Sequence, residues 1–181
     1  MSDKTIKNQR WIYRGFFDFR EDTLVDAQGE KHLYCSLISK ADGVIVLPEI
    51  APNTFLLIVE QRYPIHKKIL SCPGGRIDEK ETPLQAAHRE LLEETGYEAS
   101  EFISLPTYYP FPSASDQKIH LFLAKGLKKV SLPKLEPLEK ITVKQLHLDD
   151  LLTWDYLTHP VDSVLPTALF YRNLLILKTT L

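Results

Sequence analysis

The sequence feature that most constrains the fold of this chain is a charged helix that follows two glycines. Residues 75–97 read GRIDEKETPLQAAHRELLEETGY. Thr82 and Gln85 match a capping box, and Pro83 suits the first position of a helix. Gly96 favours the left-handed conformation that ends a helix. The pattern predicts a helix that starts at Pro83 and ends before Gly96, with an apolar stripe of Leu84, Ala87, Leu91 and Leu92.

Carboxylates crowd one side of this predicted helix. Glu90 and Glu94 are four residues apart, so we expect both side chains to project from one solvent-facing side. Two like charges at this spacing destabilise an isolated helix by a few tenths of a kcal/mol. A hard divalent cation bound by carboxylate oxygens would offset that cost. The alternative is an ordinary solvated, charged helix, which does not explain two glycines and an arginine at fixed offsets.

The spacing of these residues resembles the signature box of the Nudix hydrolases. Every position of that box is matched, by Gly75, Glu81, Arg89, Glu90, Leu91, Glu93, Glu94, Gly96 and Tyr97. The resemblance implies an α/β fold, the Nudix α/β/α sandwich with a mixed sheet. Helices between and after the strand-like segments of this sequence favour the same layered class.

Segments outside the helix resemble the ADP-ribose pyrophosphatase branch of this family. They are residues 13–17, 56–64, 73–75, 108–110 and 119–124, and Pro112 lies at the offset typical of the branch. The resemblance implies hydrolysis of ADP-ribose or a related nucleoside diphosphate sugar. Ser71 stands where the branch usually has glutamate, which leaves another substrate such as GDP-mannose open. A nucleotide-binding module without catalysis is the remaining alternative, although relatives of that kind generally lose box glutamates.

The chain divides into a predicted N-terminal arm, residues 1–42, and a Nudix hydrolase domain, residues 43–181. Residues 11–40 alternate apolar and polar side chains around a turn signal at 26–29, which predicts an antiparallel meander. Such an arm is too small to bury a core of its own. We therefore expect it to pack on the rest of the chain or on a second subunit, and the branch implies a homodimer with an exchanged arm.

The domain should contain strands at 43–47, 55–59, 101–105, 119–124 and 141–146, with a loop at 48–54. A helix is predicted at 149–157, and Ser163 should cap a last helix that ends near Leu177.

The family resemblance also implies a set of metal ligands. Glu90 and Glu94 would bind Mg²⁺, with Mn²⁺ as an alternative, and the backbone carbonyl of Gly74 would be a third ligand. Glu81 would add charge or bind a second ion. Arg89 would orient Glu93 through a bidentate pair. Gly75, with Gly74, would let the backbone approach the ions closely.

The catalytic base is expected outside the helix, in a late loop. Glu139 lies in a stretch that resembles a family pattern, so it is our first choice as base and a further candidate metal ligand; Glu136 is the second choice. Both would otherwise be solvated loop acids. Arg62 should contact a substrate phosphate, or else form a surface ion pair. Phe16 should stack on the base of the nucleotide, or else lie in the core.

Composition excludes several other classes of function. The formal net charge of −2 gives no electrostatic reason to expect nucleic acid or an anionic membrane as a partner. The two cysteines do not indicate a disulfide scaffold. The polar N-terminus and the absence of a long apolar stretch favour a cytoplasmic location. The family resemblance implies a small-molecule substrate.

Overall fold

The computed structural model describes residues 5–180, which form two compact units. The first unit combines the described residues up to Asp42 with Tyr109–Lys118, and the second contains Gly43–Tyr108 and the described residues from Ile119 onward. The strands are β1 (Thr5–Tyr13), β2 (Phe17–Val25), β3 (Lys31–Ser39), β4 (Gly43–Ala51), β5 (Thr54–Arg62), β6 (Lys67–Ser71), β7 (Gly74–Arg76), β8 (Tyr97–Ser104), β9 (Ile119–Lys129) and β10 (Ile141–His147). The helices are α1 (Pro83–Thr95), α2 (Leu148–Leu152) and α3 (Val164–Thr180).

The first unit is an antiparallel sheet in the order β1-β2-β3. The predicted turn at 26–29 is confirmed, because the N–H of Gly29 donates to the carbonyl of Asp26 (3.1 Å). β1 begins at Thr5, before the predicted meander, and Thr5 pairs with Val25. Apart from Ile6, the sequence at its start is polar on both faces, so it carries no alternating signal.

The aromatic loop 109–118 belongs to this first unit, which the sequence did not predict. The N–H of Leu37 in β3 donates to the carbonyl of Ala114 (2.7 Å). The N–H of Ser39 donates to Oδ1 of Asp116 (2.8 Å). These bonds supply partners to the outer edge of β3.

The second unit contains a seven-stranded mixed sheet in the order β10-β5-β4-β9-β8, and β6 and β7 pair with β5 and β4. β4 and β9 are parallel, and the other pairs are antiparallel. With the antiparallel sheet of the first unit, this architecture confirms the predicted α/β fold class.

Alternate residues of β4 point to two different cores. Val44 and Val46 pack in a cluster with the buried face of α1. Ile45 and Leu47 pack in a cluster with residues of α2 and α3, including Leu165. Because side chains of a strand alternate between faces, α1 covers one face of the sheet, and α2 and α3 cover the other.

The ends of α1 match the sequence prediction. Thr82 and Gln85 form a capping box, and Gly96 ends the helix with φ 76°. The apolar stripe differs in two positions, because Leu84 is exposed and Leu92 is only half-buried, whereas Ala86 is buried. Small alanines let the helix lie close to the sheet.

Other predicted boundaries were wrong. β4 continues through Pro48 to Ala51, so the predicted loop at 48–54 is a short hairpin turn. α2 ends at Leu152 rather than at residue 157, and turns follow it. β8 begins at Tyr97, directly after the end of α1, rather than at residue 101.

The start of α3 also differs from the prediction. Ser163 does not cap it through its side chain; Oδ1 of Asp162 accepts the N–H of Val164 (3.3 Å). Asp162 is held in turn by its own N–H, which donates to the carbonyl of Leu70 in β6 (2.8 Å). The helix therefore starts from a segment that is hydrogen-bonded to the sheet.

A buried ion pair joins α3 to β4. Arg172 donates to the carboxylate of Glu49, and each side chain is only 7% exposed. The guanidinium also lies over the ring of Phe55, 5.6 Å from its centroid. Removal of one partner from such a pair would leave an uncompensated buried charge, so the pair restricts the position of α3.

Among the described residues, no helix is long and apolar enough to cross a membrane.

Candidate active site

A close approach between β7 and α1 forms the centre of the site. β7 pairs with β4, and Gly75 lies opposite Val44. A Cβ at Gly75 would lie 2.3 Å from Oε1 of Glu90. A larger residue would push the Glu90 carboxylate away from Arg89, so the glycine of the signature box leaves room for Glu90 at this approach.

Glu90 and Glu94 are buried, which corrects the expectation that they face solvent. The N–H of Gly74 donates to Oε2 of Glu94 (2.8 Å). Burial raises the pKa of Glu94 to about 9 and that of Glu90 to about 7, and the negative charge of Glu139 contributes to both shifts. The side of the helix that carries these residues therefore faces the sheet and holds two carboxyl groups away from water.

Arg89 organises the remaining carboxylates. Its Nε and Nη2 donate to the two oxygens of Glu81 (2.7 and 2.9 Å). Its Nη1 donates to Oε1 of Glu90 (2.8 Å) and to Oε2 of Glu93 (3.1 Å). The predicted bidentate pair with Glu93 was therefore wrong: Glu81 is the bidentate partner, and Glu93 has a single bond.

The donor set suits a hard divalent cation, because carboxylate oxygens are the ligands that Mg²⁺ and Mn²⁺ prefer. Burial of Glu90 and Glu94 beside each other fits a group that neutralises them. Within residues 5–180, however, no three acidic, histidine or cysteine side chains form a preassembled metal cluster. Arg89 instead occupies Glu81 and one oxygen of Glu90. Ligation by Gly74, Glu81, Glu90, Glu94 and Glu139 stays a prediction.

The loop between β9 and β10 is tied to α1 at one end. The N–H groups of Val130 and Ser131 donate to the carbonyl of Gly96 (2.9 and 3.1 Å). The N–H of Lys134 donates to the carbonyl of Glu93 (2.7 Å). A Cβ at Gly96 would lie 2.3 Å from the carbonyl oxygen of Ser131, so the same glycine ends the helix and receives the loop.

The other end of this loop is tied to β5, which brings Glu139 to the site. The N–H of Gln61 donates to the carbonyl of Lys140 (3.3 Å). Glu139 is half-buried, and Oε2 accepts the N–H of Glu136 (2.8 Å). Glu136 itself is exposed, whereas the charge of Glu139 is among the main causes that raise the pKa of Glu90 and Glu94. Glu139 and Glu136 belong to one turn, but Glu139 is half-buried beside the buried carboxyl groups and Glu136 is exposed.

Glu60 is a site residue that sequence reasoning missed. It follows Val59 in β5 and so points to the face of the sheet that α1 covers. Burial raises its pKa, and the charge of Glu139 adds to that shift. Its charge also raises the pKa of Glu94. Strand alternation in residues 55–62 was the signal available for it.

Arg62 lies between two acids at the edge of the site. Its Nη1 is 2.9 Å from Oε1 of Glu60, and its Nη2 is 3.7 Å from Oδ2 of Asp162. This is the ion pair that we considered as the alternative to a phosphate contact. Asp162 is distant in sequence, and no pattern indicated its place here.

Phe16 lies in the first unit and is largely exposed rather than in a core, so its stacking on a nucleotide stays a prediction.

Comparisons with known proteins agree with this geometry. A model of the NUDIX domain matches residues 39–164. A methanol dehydrogenase activator from Bacillus methanolicus is 34% identical over 173 residues, which are 95% of this chain and 93% of that protein. An ADP-ribose pyrophosphatase from Bacillus subtilis (strain 168) is 31% identical over 154 residues, 84% and 82% of the two chains.

A solved structure is similar along almost the whole chain. The crystal structure of an ADP compounds hydrolase superimposes with a TM-score of 0.84 at 25% identity, and covers 99% of this chain and 97% of its own.

We expect metal-free protein to lose stability as pH rises from about 5 to about 9. The unfolded chain releases the protons of Glu90 and Glu94 near pH 4.5, whereas the folded chain holds them to about pH 7 and 9. The folded state therefore binds more protons across this window, and the free energy of unfolding falls with pH.

Urea unfolding in chelator at several pH values measures this slope. Glu94→Gln should remove a large part of it, and Glu136→Gln, which changes an exposed acid, should leave it unchanged. A slope that is identical in the wild type and Glu94→Gln would contradict the prediction.

Proposed function

Because the chain belongs to the NUDIX domain family, we propose that it is a pyrophosphohydrolase that cleaves ADP-ribose or a related nucleoside diphosphate sugar with a divalent cation. The observation that carries the proposal is the buried pair of carboxyl groups, Glu90 and Glu94, beside the backbone N–H of Gly74. A structural helix gains nothing from two desolvated acids on one face, whereas a metal-dependent hydrolase needs them.

The reaction is substitution at phosphorus by water. The water oxygen forms a new bond to one phosphorus, and the bond from that phosphorus to the bridging oxygen breaks. The products are a nucleoside monophosphate and a sugar phosphate, and the proton of the water passes to a base. Positioning and neutralisation of the phosphate charge supply most of the catalysis in such reactions.

Glu90 and Glu94 would hold the cation, with the carbonyl of Gly74 as a backbone ligand and Glu81 or Glu139 as further ligands. When bound, Mg²⁺ or Mn²⁺ neutralises phosphate charge and makes bound water more acidic. Arg89 keeps Glu81, Glu90 and Glu93 in place through four hydrogen bonds from its guanidinium.

Glu139 would accept the proton of the attacking water. Its loop is held to α1 and to β5, and its charge reaches both buried carboxyl groups. Arg62 would exchange part of its ion pairing for a substrate phosphate, since guanidinium donors suit phosphate oxygens. Phe16 would contact the nucleotide base, and Gly75 leaves room beside the metal ligands.

ADP-containing substrates are the first choice. The Bacillus subtilis relative is named for ADP-ribose, and the solved neighbour is named for ADP compounds. GDP-mannose or another sugar nucleotide is the second candidate, because Ser71 departs from the residue usual in this branch. A module without catalysis is disfavoured, since every glutamate of the signature box is present.

A substrate panel tests the proposed function. ADP-ribose, other ADP compounds, GDP-mannose and UDP-sugars are assayed for released monophosphate with Mg²⁺, with Mn²⁺ and in chelator. We expect turnover of ADP-ribose that needs a divalent cation and that Glu94→Gln abolishes. Activity in excess chelator, or more than about a tenth of wild-type kcat in Glu94→Gln, would contradict the metal assignment.

Glu139→Gln should lower kcat by about 10²–10⁴-fold, the range for loss of a general base, with little change in KM. Glu136→Gln is the matched control from the same turn and should stay near wild type. Both variants are measured across a Mg²⁺ titration. Recovery of Glu139→Gln at high Mg²⁺ would show a metal ligand rather than the base, and a larger, metal-insensitive loss in Glu136→Gln would reverse the assignment.

We also propose a homodimer that depends on the first unit. Its three-stranded sheet leaves large apolar side chains exposed, among them Ile6, Ile12, Tyr13, Leu33 and Tyr34. Exposed apolar surface of this kind is typical of an interface. Light scattering at micromolar concentration should report a dimer, and Leu33→Asp should shift it toward monomer. A wild-type chain that stays monomeric would contradict the proposal.

A further inference from the structure

A cavity of about 360 Å³ lies on the face of the mixed sheet opposite α1. Val59 and Leu70 line it, and both belong to the apolar cluster shared with α2 and α3. Glu60, the next residue of β5, points to the other face. The cavity is therefore separated from the candidate active site by the thickness of the sheet.

Two lysines reach this cavity from the two strands that flank β5. Lys68 of β6 pairs with Gln61, and Lys144 of β10 pairs with Leu57. Paired residues project to the same face, and Leu57 and Gln61 alternate in step with Val59, so both lysines lie on the cavity side. In the described part of the chain, no ion pair involves either ammonium group. The cavity thus has two cations that are available to an anionic ligand.

An aromatic wall faces these cations. Trp154 is half-buried, and its indole N–H donates to the carbonyl of His159 (2.9 Å). The rings of Trp154 and His159 meet edge to face with centroids 5.8 Å apart. The indole is therefore fixed by a hydrogen bond and a ring contact, which favours stacking because little side-chain entropy remains to be lost.

Among the described residues, the acid of the cavity forms no ion pair with either lysine. Asp155 lines the same space, but its carboxylate accepts the hydroxyl of Thr158 and the N–H groups of Leu157 and Thr158. These bonds stabilise its charge within the turn, and the hydrogen bond from Thr158 lowers the pKa of Asp155.

We propose that this cavity binds a nucleoside monophosphate, with its base against Trp154 and its phosphate on Lys68 and Lys144. The combination of a fixed indole, an apolar floor and two unpaired ammonium groups fits a flat aromatic ring joined to an anion. The volume suits a small molecule rather than a nucleic acid strand. The site is independent of the proposed hydrolysis, because it needs neither the metal ligands nor Arg62.

Tryptophan fluorescence tests the site directly. The chain has two tryptophans, Trp11 and Trp154, so Trp11→Phe leaves Trp154 as the only reporter. AMP is titrated into this full-length variant in excess chelator. We expect saturable quenching with an apparent Kd of about 1 mM or tighter, the range of a weak specific site.

Three double variants, each made in the Trp11→Phe chain, distinguish AMP binding in this cavity from a general charge effect and from binding at the candidate active site. Lys68→Ala with Lys144→Ala should weaken the apparent Kd by about tenfold or more, through the loss of charge-assisted hydrogen bonds. Lys128→Ala with Lys129→Ala removes the same charge from the exposed end of β9 and should leave quenching unchanged. Arg62→Ala with Glu94→Gln removes the candidate active site and should also leave it unchanged.

Adenosine, which lacks the phosphate, should bind much more weakly than AMP. The proposal is overturned by absence of quenching, by equal quenching with adenosine, or by quenching that survives loss of Lys68 and Lys144. It is equally overturned if quenching disappears with Arg62→Ala and Glu94→Gln, since that would place the nucleotide in the active site.

Discussion

Desolvation of two carboxyl groups is the constraint on which the rest of this structure depends. Glu90 and Glu94 lie on the buried side of α1, where water cannot stabilise their charge. The chain compensates with a backbone N–H from Gly74 and a guanidinium from Arg89. The first of these donors requires a strand that lies close to the helix. Gly75, the short strand β7 and its pairing with β4 follow from that requirement, and so does the position of α1 on the sheet.

Arg89 holds the acids in an arrangement that a cation would have to change. One guanidinium contacts three carboxylates, and the oxygens of Glu81 and Glu90 that it occupies are candidate metal ligands. Metal binding would then be coupled to a shift of Arg89 and to proton release from Glu90 and Glu94. The free energy needed to move Arg89 and release these protons would lower the observed affinity for the cation. The same holds for any site that must change its arrangement before it can bind its ligand.

Sequence patterns predicted the local features well and the long-range ones poorly. The capping box at Thr82 and the left-handed end of α1 at Gly96 depend on neighbours within a few positions, and the structure confirms both. Burial of Glu94 could not be predicted, because it depends on a strand twenty residues away. The ion pair between Arg62 and Asp162 depends on hydrogen bonds between β6 and a segment distant in sequence. The hydrogen bond that joins loop 109–118 to β3 is equally non-local. The polar start of β1 had no periodic signal at all.

Gly96 has a consequence for how this protein can vary. Its positive φ ends α1, its carbonyl holds the loop that carries Glu139, and a Cβ there would meet Ser131. A single substitution of Gly96 would therefore disturb both the end of α1 and the position of the candidate base, Glu139. Helix termination and loop position therefore cannot vary independently through a substitution of Gly96.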